Sequence, residues 1–182
     1  MALMESRKKL VAGDKAPYFI LIGTDEREHA LKSYLGKPLI IAFLCNHCPY
    51  VHAKIGALTG LKKKFGNKIN IVGINSSDPE YTGEGFAKMK EYDKSFGVNF
   101  DYLIDDSQKI ARDYGAMCTP DPFLFDAEGK LVYHGKLDSS PSMNPVKTGD
   151  IMEINIENVL NDDPVENEFV PSQGCSIKWK SK

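Results

Sequence analysis

The residues best equipped for covalent chemistry in this chain are its cysteines. Two of them, Cys45 and Cys48, lie within Phe43-Leu44-Cys45-Asn46-His47-Cys48-Pro49-Tyr50-Val51. A thiolate, not a thiol, attacks a disulfide, so the surroundings must favour ionisation of one of them. Ahead of the pair, Pro38-Leu39-Ile40-Ile41-Ala42-Phe43-Leu44 is apolar without alternation, which predicts a strand buried on both faces. Behind it, Val51, Ile55, Leu58 and Phe65 fall on one stripe of a helix, with Lys62, Lys63 and Lys64 mostly off it as a solvated face. Pro49 suits the first helical turn and Gly66 a left-handed stop. The pair therefore sits where a buried strand becomes a helix N-terminus, facing unpaired N–H groups and the positive end of the dipole.

Magnitudes show what else is needed. Lowering a thiol from ~8.5 to ~6.5 requires ~2.7 kcal/mol. The dipole supplies ~0.3–1 and at most ~2 kcal/mol. Direct hydrogen bonds to sulfur or a nearby cation must add the rest, and His47 is the nearest candidate. Cys48, directly before Pro49, is the expected attacker; Cys45 is still leaving the strand and could resolve it. A metal reading of Cys45, His47, Cys48 and His52 is the alternative. No second Cys-x-x-Cys or His pair completes a four-ligand set, so neither metal nor cofactor is expected. Cys118 and Cys175 are further candidate redox thiols, set against the plainer readings of a small core residue and a docked structural Cys.

The elements that must position these residues follow from the remaining pattern. Residues 1–17 read as a loose lead-in, 18–22 as a short strand, and 29–34 as a second strand or helical turn. Residues 68–75 are a second buried strand, giving a parallel strand–helix–strand unit with a right-handed crossover. A helix over 84–96 should point Phe86, Met89 and Phe96 inward and stop at Gly97. A strand at 101–104 precedes a short helix capped by Asp106 and closed by Gly115. After Cys118-Thr119-Pro120, residues 123–125 and 131–136 form an antiparallel hairpin, and a last helix covers about 148–160. The tail after Asp163 is polar and extended, with Ile177 and Trp179 docking it on the body.

Composition bounds the function. The chain has 182 residues, 42% of them hydrophobic, and a net charge of −2. That predicts one domain and excludes a nucleic-acid or membrane-surface footprint, since the basic residues are balanced and dispersed. No apolar run approaches the ~20 residues of a membrane span, and no apolar export segment follows residues 1–10. The expected location is cytoplasmic, where four cysteines read as catalytic or metal-binding rather than as a disulfide scaffold.

The order of strand, Cys-bearing turn, helix, strand, helix, then Thr119-Pro120 before a hairpin and final helix resembles the thioredoxin fold. Gly13-Asp14-Lys15-Ala16-Pro17 and Leu35-Gly36-Lys37-Pro38 are similar to the opening segments of its peroxiredoxin-like relatives, the alkyl hydroperoxide reductase/thiol-specific antioxidant (redoxin) group. The resemblance implies an α/β thioredoxin-like fold over about residues 10–162, with a mixed sheet flanked by helices, an N-terminal strand extension and a docked tail at 163–182. It implies a cis Pro120 whose loop packs on the reactive cysteines and offers its preceding backbone to a partner's extended chain. Two registers stay open. In one, Cys45 attacks and Cys48 resolves; in the other, Cys48-Pro49-Tyr50-Val51 resembles the glutaredoxin-type Cys-Pro-Tyr-Cys and Cys48 attacks.

Peroxidases of the group carry Thr-x-x-Cys and a nearby Arg; here Cys45 replaces that Thr, and Asp121-Pro122 lies near the Arg position. Disulfide exchange with a protein or small-molecule disulfide, recycled by an external thiol reductant, is thus the first expectation. A hydroperoxide substrate is the second, and a non-catalytic metal- or partner-binding module the third.

Overall fold

The computed structural model describes residues 3–181. Among these, the strands and α-helices run β1 (Leu3–Glu5), β2 (Ile20–Gly23), β3 (Glu28–Ala30), β4 (Leu39–Leu44), α1 (Pro49–Phe65), β5 (Asn70–Asn75), α2 (Phe86–Phe96), β6 (Asp101–Ile104), α3 (Lys109–Tyr114), β7 (Cys118–Thr119), β8 (Asp121–Phe125), β9 (Leu131–Gly135), α4 (Asp150–Leu160), β10 (Phe169–Val170) and β11 (Gln173–Ser176). A mixed sheet orders them β10-β9-β8-β4-β5-β6-β2-β3, and a smaller one β1-β11-β7. This is an α/β thioredoxin-like fold.

Strand β4 sits at its centre for the reason its sequence suggests. All six side chains are buried, paired parallel with β5 and antiparallel with β8. Its alternate residues feed two cores. Ile40, Ala42 and Leu44 meet Val51, Ile55 and Leu58 of α1 and Met152 and Ile156 of α4; Leu39, Ile41 and Phe43 meet Tyr114, Phe123 and Phe125. Each such side chain contributes ~1.5–3 kcal/mol relative to exposure, which holds the strand's carboxyl end fixed.

Several local expectations are corrected. The lead-in is not loose throughout, because Leu3–Glu5 pairs antiparallel with Gln173–Cys175 of β11. In α2, Phe96 is 40% exposed and Tyr92 takes the inward place, stacking on Phe96 at 4.3 Å between centroids. Asp106 does not cap α3. Asp105, fully buried, accepts the Ala111 N–H at 3.1 Å and the Ser76 hydroxyl at 2.8 Å, while Asp106 pairs with Lys180 at the surface. Beyond the core stripe, α1 buries one unexpected polar group. Lys54 donates to Asp138 at 2.9 Å, Ser140 at 2.9 Å and the Pro141 carbonyl at 3.1 Å, anchoring the loop before α4.

The tail docks as expected. Ile177 is buried and the Arg112 guanidinium lies 4.8 Å over the Trp179 ring. A half-exposed contact of this kind contributes ~0.5–1 kcal/mol. Trp179→Ala should accordingly lower the unfolding free energy by about that amount in a denaturant titration, with an unchanged slope.

Candidate active site: thiols at the head of helix α1

Chain direction changes at Cys48. Its extended backbone (φ −82°, ψ 120°) makes it the N-cap of α1, with Pro49 as the first helical residue. The expected helix start is therefore observed at its expected residue. Cys45 follows directly on β4, so both thiols lie at the carboxyl end of the central strand. Opposite them stands β7, and the Thr119–Pro120 peptide that follows it is cis. The Cys48 thiol donates to the Thr119 carbonyl at 3.3 Å, and Cys45 Sγ lies 3.0 Å from Thr119 Oγ1. Both cysteines are thus within reach of the proline shelf.

The cause of ionisation differs from the one sequence suggested. His47 turns to Glu84, whose Oε1 holds its Nδ1. Neighbouring thiols act instead. Hydrogen bonding from Cys45 is the largest influence, overcoming burial; a second bond from Cys175 and the Val51 and Cys175 N–H groups add to it, bringing Cys48 down to about 5. The Thr119 carbonyl opposes this as the contact that favours the thiol form. Cys45 is pushed up, first by burial, then by hydrogen bonding to Cys48 and by the Cys48 and Glu84 charges. Cys175 is pushed up to about 12 by burial and by Cys48. One sulfur holds the negative charge and two hold protons for it.

Cys175 thus belongs to the site, although it lies in the tail of the sequence. β11 pairs antiparallel with β7, setting Cys175 opposite Thr119 and Ser176 opposite Cys118. In this structure the chain's own tail occupies the backbone edge before Pro120 that was expected to receive a partner. All four cysteines are buried, and none is joined in a disulfide. Cys118 faces away, with Sγ 4.0 Å from the Pro120 carbonyl and 3.9 Å from that of Ser172. Burial first, then the Asp121 charge, pushes its thiol far up, so it is a core residue. Asp121 itself is buried against His134 at 2.7 Å, and burial raises its carboxyl.

Sequence reasoning missed Glu84. Its Oε1 accepts the backbone N–H of Asn46 at 2.9 Å and of His47 at 3.0 Å as well as His47 Nδ1, and its Oε2 accepts Asn75 Nδ2 at 2.7 Å. His52, offered as a metal ligand, instead contacts the Asn46 carbonyl through Nε2 at 2.6 Å. Cys45, His47 and Glu84 bring ligand atoms within 4.8 Å of one another. The carboxylate there is already saturated by donors, so it fits a clamp on the 45–48 loop better than a metal ligand. Glu84→Ala would strand two backbone donors, and the expected loss of stability is roughly 1–3 kcal/mol by denaturant titration. The cue for Glu84 was slight, a lone acid between Gly83 and Gly85; for Cys175 it was better, since Cys175, Ile177 and Trp179 alternate like a half-buried strand.

Residues 12–134 match the AhpC/TSA family. The chain belongs to that family. Its fold is shared over nearly the full length with a conserved protein of Geobacillus kaustophilus, 35% identical, TM-score 0.93, covering 100% of this chain and 98% of that one. A protein of Sinorhizobium meliloti 1021 is 34% identical at TM-score 0.90, covering 96% and 98%. Among curated relatives, thiol-disulfide oxidoreductase ResA of Geobacillus thermodenitrificans is 30% identical over 125 residues, 67% of each chain. The family match ends at residue 134, before the strand that brings Cys175 to the site.

Proposed function

We propose that this protein is a thiol–disulfide oxidoreductase in which Cys48 attacks and Cys45 resolves. The observation that carries the reading is the sharing of Thr119 by two cysteine sulfurs at the head of α1, one of them ionised near neutral pH. The similarity to thiol-disulfide oxidoreductase ResA supports it. The Cys48 thiolate attacks one sulfur of a partner disulfide, forming a mixed disulfide and releasing the other half as a thiol. Cys45 then attacks Cys48 Sγ, releases the second half and leaves a Cys45–Cys48 disulfide. Cys45 gives up one proton and solvent supplies the other, the one already lost from Cys48, so that both halves of the partner leave as thiols; an external thiol reductant restores the pair. We place the cycle in the cytoplasm, where such reductants keep cysteines free.

The test uses Cys45→Ser/Cys175→Ser, which leaves no thiol beside Cys48 to release a bound partner. On exposure to oxidised glutathione, a single glutathione should accumulate on Cys48, seen as a mass increment on its peptide. A Cys48 that stays unmodified while free cysteine in the same mixture reacts would overturn the reading.

A hydroperoxide is the second substrate considered, favoured by the low value of Cys48 within this family. Against it, Arg112 is engaged with Ser107, Gln108 and Trp179. Thiol loss after hydrogen peroxide addition, at a rate near that of free cysteine, is the outcome expected from disulfide exchange alone.

A further inference from the structure

One element packed against Cys48 is made of the chain's own two ends, with β11 contributing Cys175 and β1 paired to the outer edge of β11. Chain termini are the segments most readily released by local opening. Cys48 has no exposed surface and Cys175 of β11 lies against it, so lifting β11 uncovers a side of the sulfur to a partner disulfide. What β11 vacates is the edge of Cys118–Thr119, a strand edge of the kind to which an extended peptide adds by backbone hydrogen bonds. The seat is built for close approach. Gly174 lies so near the shelf that a Cβ there would meet the Thr119 carbonyl oxygen at 2.0 Å and its carbon at 2.7 Å. In that register Cys175 stands opposite Thr119, whose carbonyl accepts from Cys48.

We infer that β11 is a returning strand whose Cys175 is a resolving thiol of the reaction, competing with the partner for the same edge and displacing it from Cys48. This step rests on Cys48 being the attacking thiol. With β11 lifted, Cys48 attacks the partner disulfide and holds half of it as a mixed disulfide. As β11 returns, the Cys175 sulfur attacks Cys48 Sγ; the Cys48–Cys175 bond forms, the Cys48–partner bond breaks, and the partner leaves as a thiolate that takes up the proton given by Cys175. Strand pairing and bond formation thus drive release in the same direction.

Lifting and return of β11 open this step to Cys175 beside Cys45. What holds the Cys175 proton is burial, then the hydrogen bond and charge of Cys48, against which Lys178 pulls the other way. Lifting the strand removes the first, and a mixed disulfide on Cys48 removes the rest. The mixed disulfide removes the same Cys48 bond and charge from Cys45, which stays buried at the end of β4 with the Glu84 charge near it, so either thiol can resolve Cys48. The arrangement also explains a Cys placed between Gly174 and Ser176 in a strand of four residues.

The experiment follows glutathione on Cys48 after a brief pulse of oxidised glutathione, acid quenching and peptide mapping. In Cys45→Ser, glutathione should leave Cys48 as a Cys48–Cys175 linked peptide appears, at least about tenfold faster than it leaves Cys45→Ser/Cys175→Ser. Equal lifetimes in the two variants overturn the role of Cys175 while leaving Cys48 as attacker intact; no adduct on the double variant overturns the attacker itself. Cys45→Ser/Gly174→Val keeps every other thiol but unseats β11, and its adduct should persist about as long as that of Cys45→Ser/Cys175→Ser. Release at the Cys45→Ser rate would overturn the strand's part. Wild-type protein provides a check that needs no substitution. A Cys48–Cys175 linked peptide is expected among its first oxidation products, and its absence at every time point overturns the inference.

Discussion

Cys48→Ser should abolish disulfide reduction, lowering the steady-state rate with a protein disulfide substrate by at least about a thousandfold, because a serine hydroxyl supplies no thiolate at neutral pH. Its fold should survive. The side chain is nearly isosteric, and serine is among the preferred residues at the N-cap position that Cys48 occupies. Circular dichroism and thermal melting check that point, and insulin reduction followed by turbidity checks activity. The matching Cys45→Ser change should be milder, since Cys175 also lies beside Cys48. Equal loss in the two variants would indicate that the pair acts only as a unit; loss in Cys45→Ser alone would favour the other register.

The second large effect is on pH dependence. With Cys48 near 5, alkylation by iodoacetamide should be flat from pH 8 to pH 6 and fall roughly tenfold per unit only below 5, whereas an ordinary thiol begins falling below ~8.5. The low value does not simply accelerate attack at pH 7. Ionisation rises about 30–100-fold there, but intrinsic nucleophilicity falls with a Brønsted slope of ~0.4–0.5, which over some four units removes a similar factor. The gain appears in acid and in regeneration of the reduced enzyme, where an external thiol attacking Cys45 expels Cys48 as the better leaving group. Because hydrogen bonding from Cys45 is the largest cause, Cys45→Ala should move the midpoint upward; an unmoved midpoint would show that the helix terminus alone suffices. The sign for stability follows from the same shift. A depressed folded-state value means the Cys48 contribution is complete above its unfolded value near 9 and disappears as pH falls through 5.

Read as residues alone, the chain determined what depends on neighbours in sequence. A short continuous apolar run rich in strand formers reads as a strand covered on both faces, and a Pro after a Cys at the start of an apolar stripe marks a helix entry, so Cys48 could be placed at the tip of α1 from sequence. The α/β order and the hairpin of β8 and β9 were legible for the same reason, being periodicities over five to ten residues. Asp106 and Phe96 were misread because caps and helix ends are decided by single contacts rather than by period.

Tertiary structure alone decided the environment of the thiols. Cys48 and Cys175 are brought together by antiparallel pairing of β7 with β11, a strand whose alternation marks it as half-buried but does not say which edge it joins. Glu84 reaches the 45–48 loop from the segment before α2, and no local rule distinguishes an acid that will accept backbone N–H groups across the fold from one facing water. Ionisation of a sulfur depends on what surrounds it in space, within a few ångströms and from every side. That is why the position of the reactive residue could be read from its immediate sequence, and the groups that charge and cover it could not.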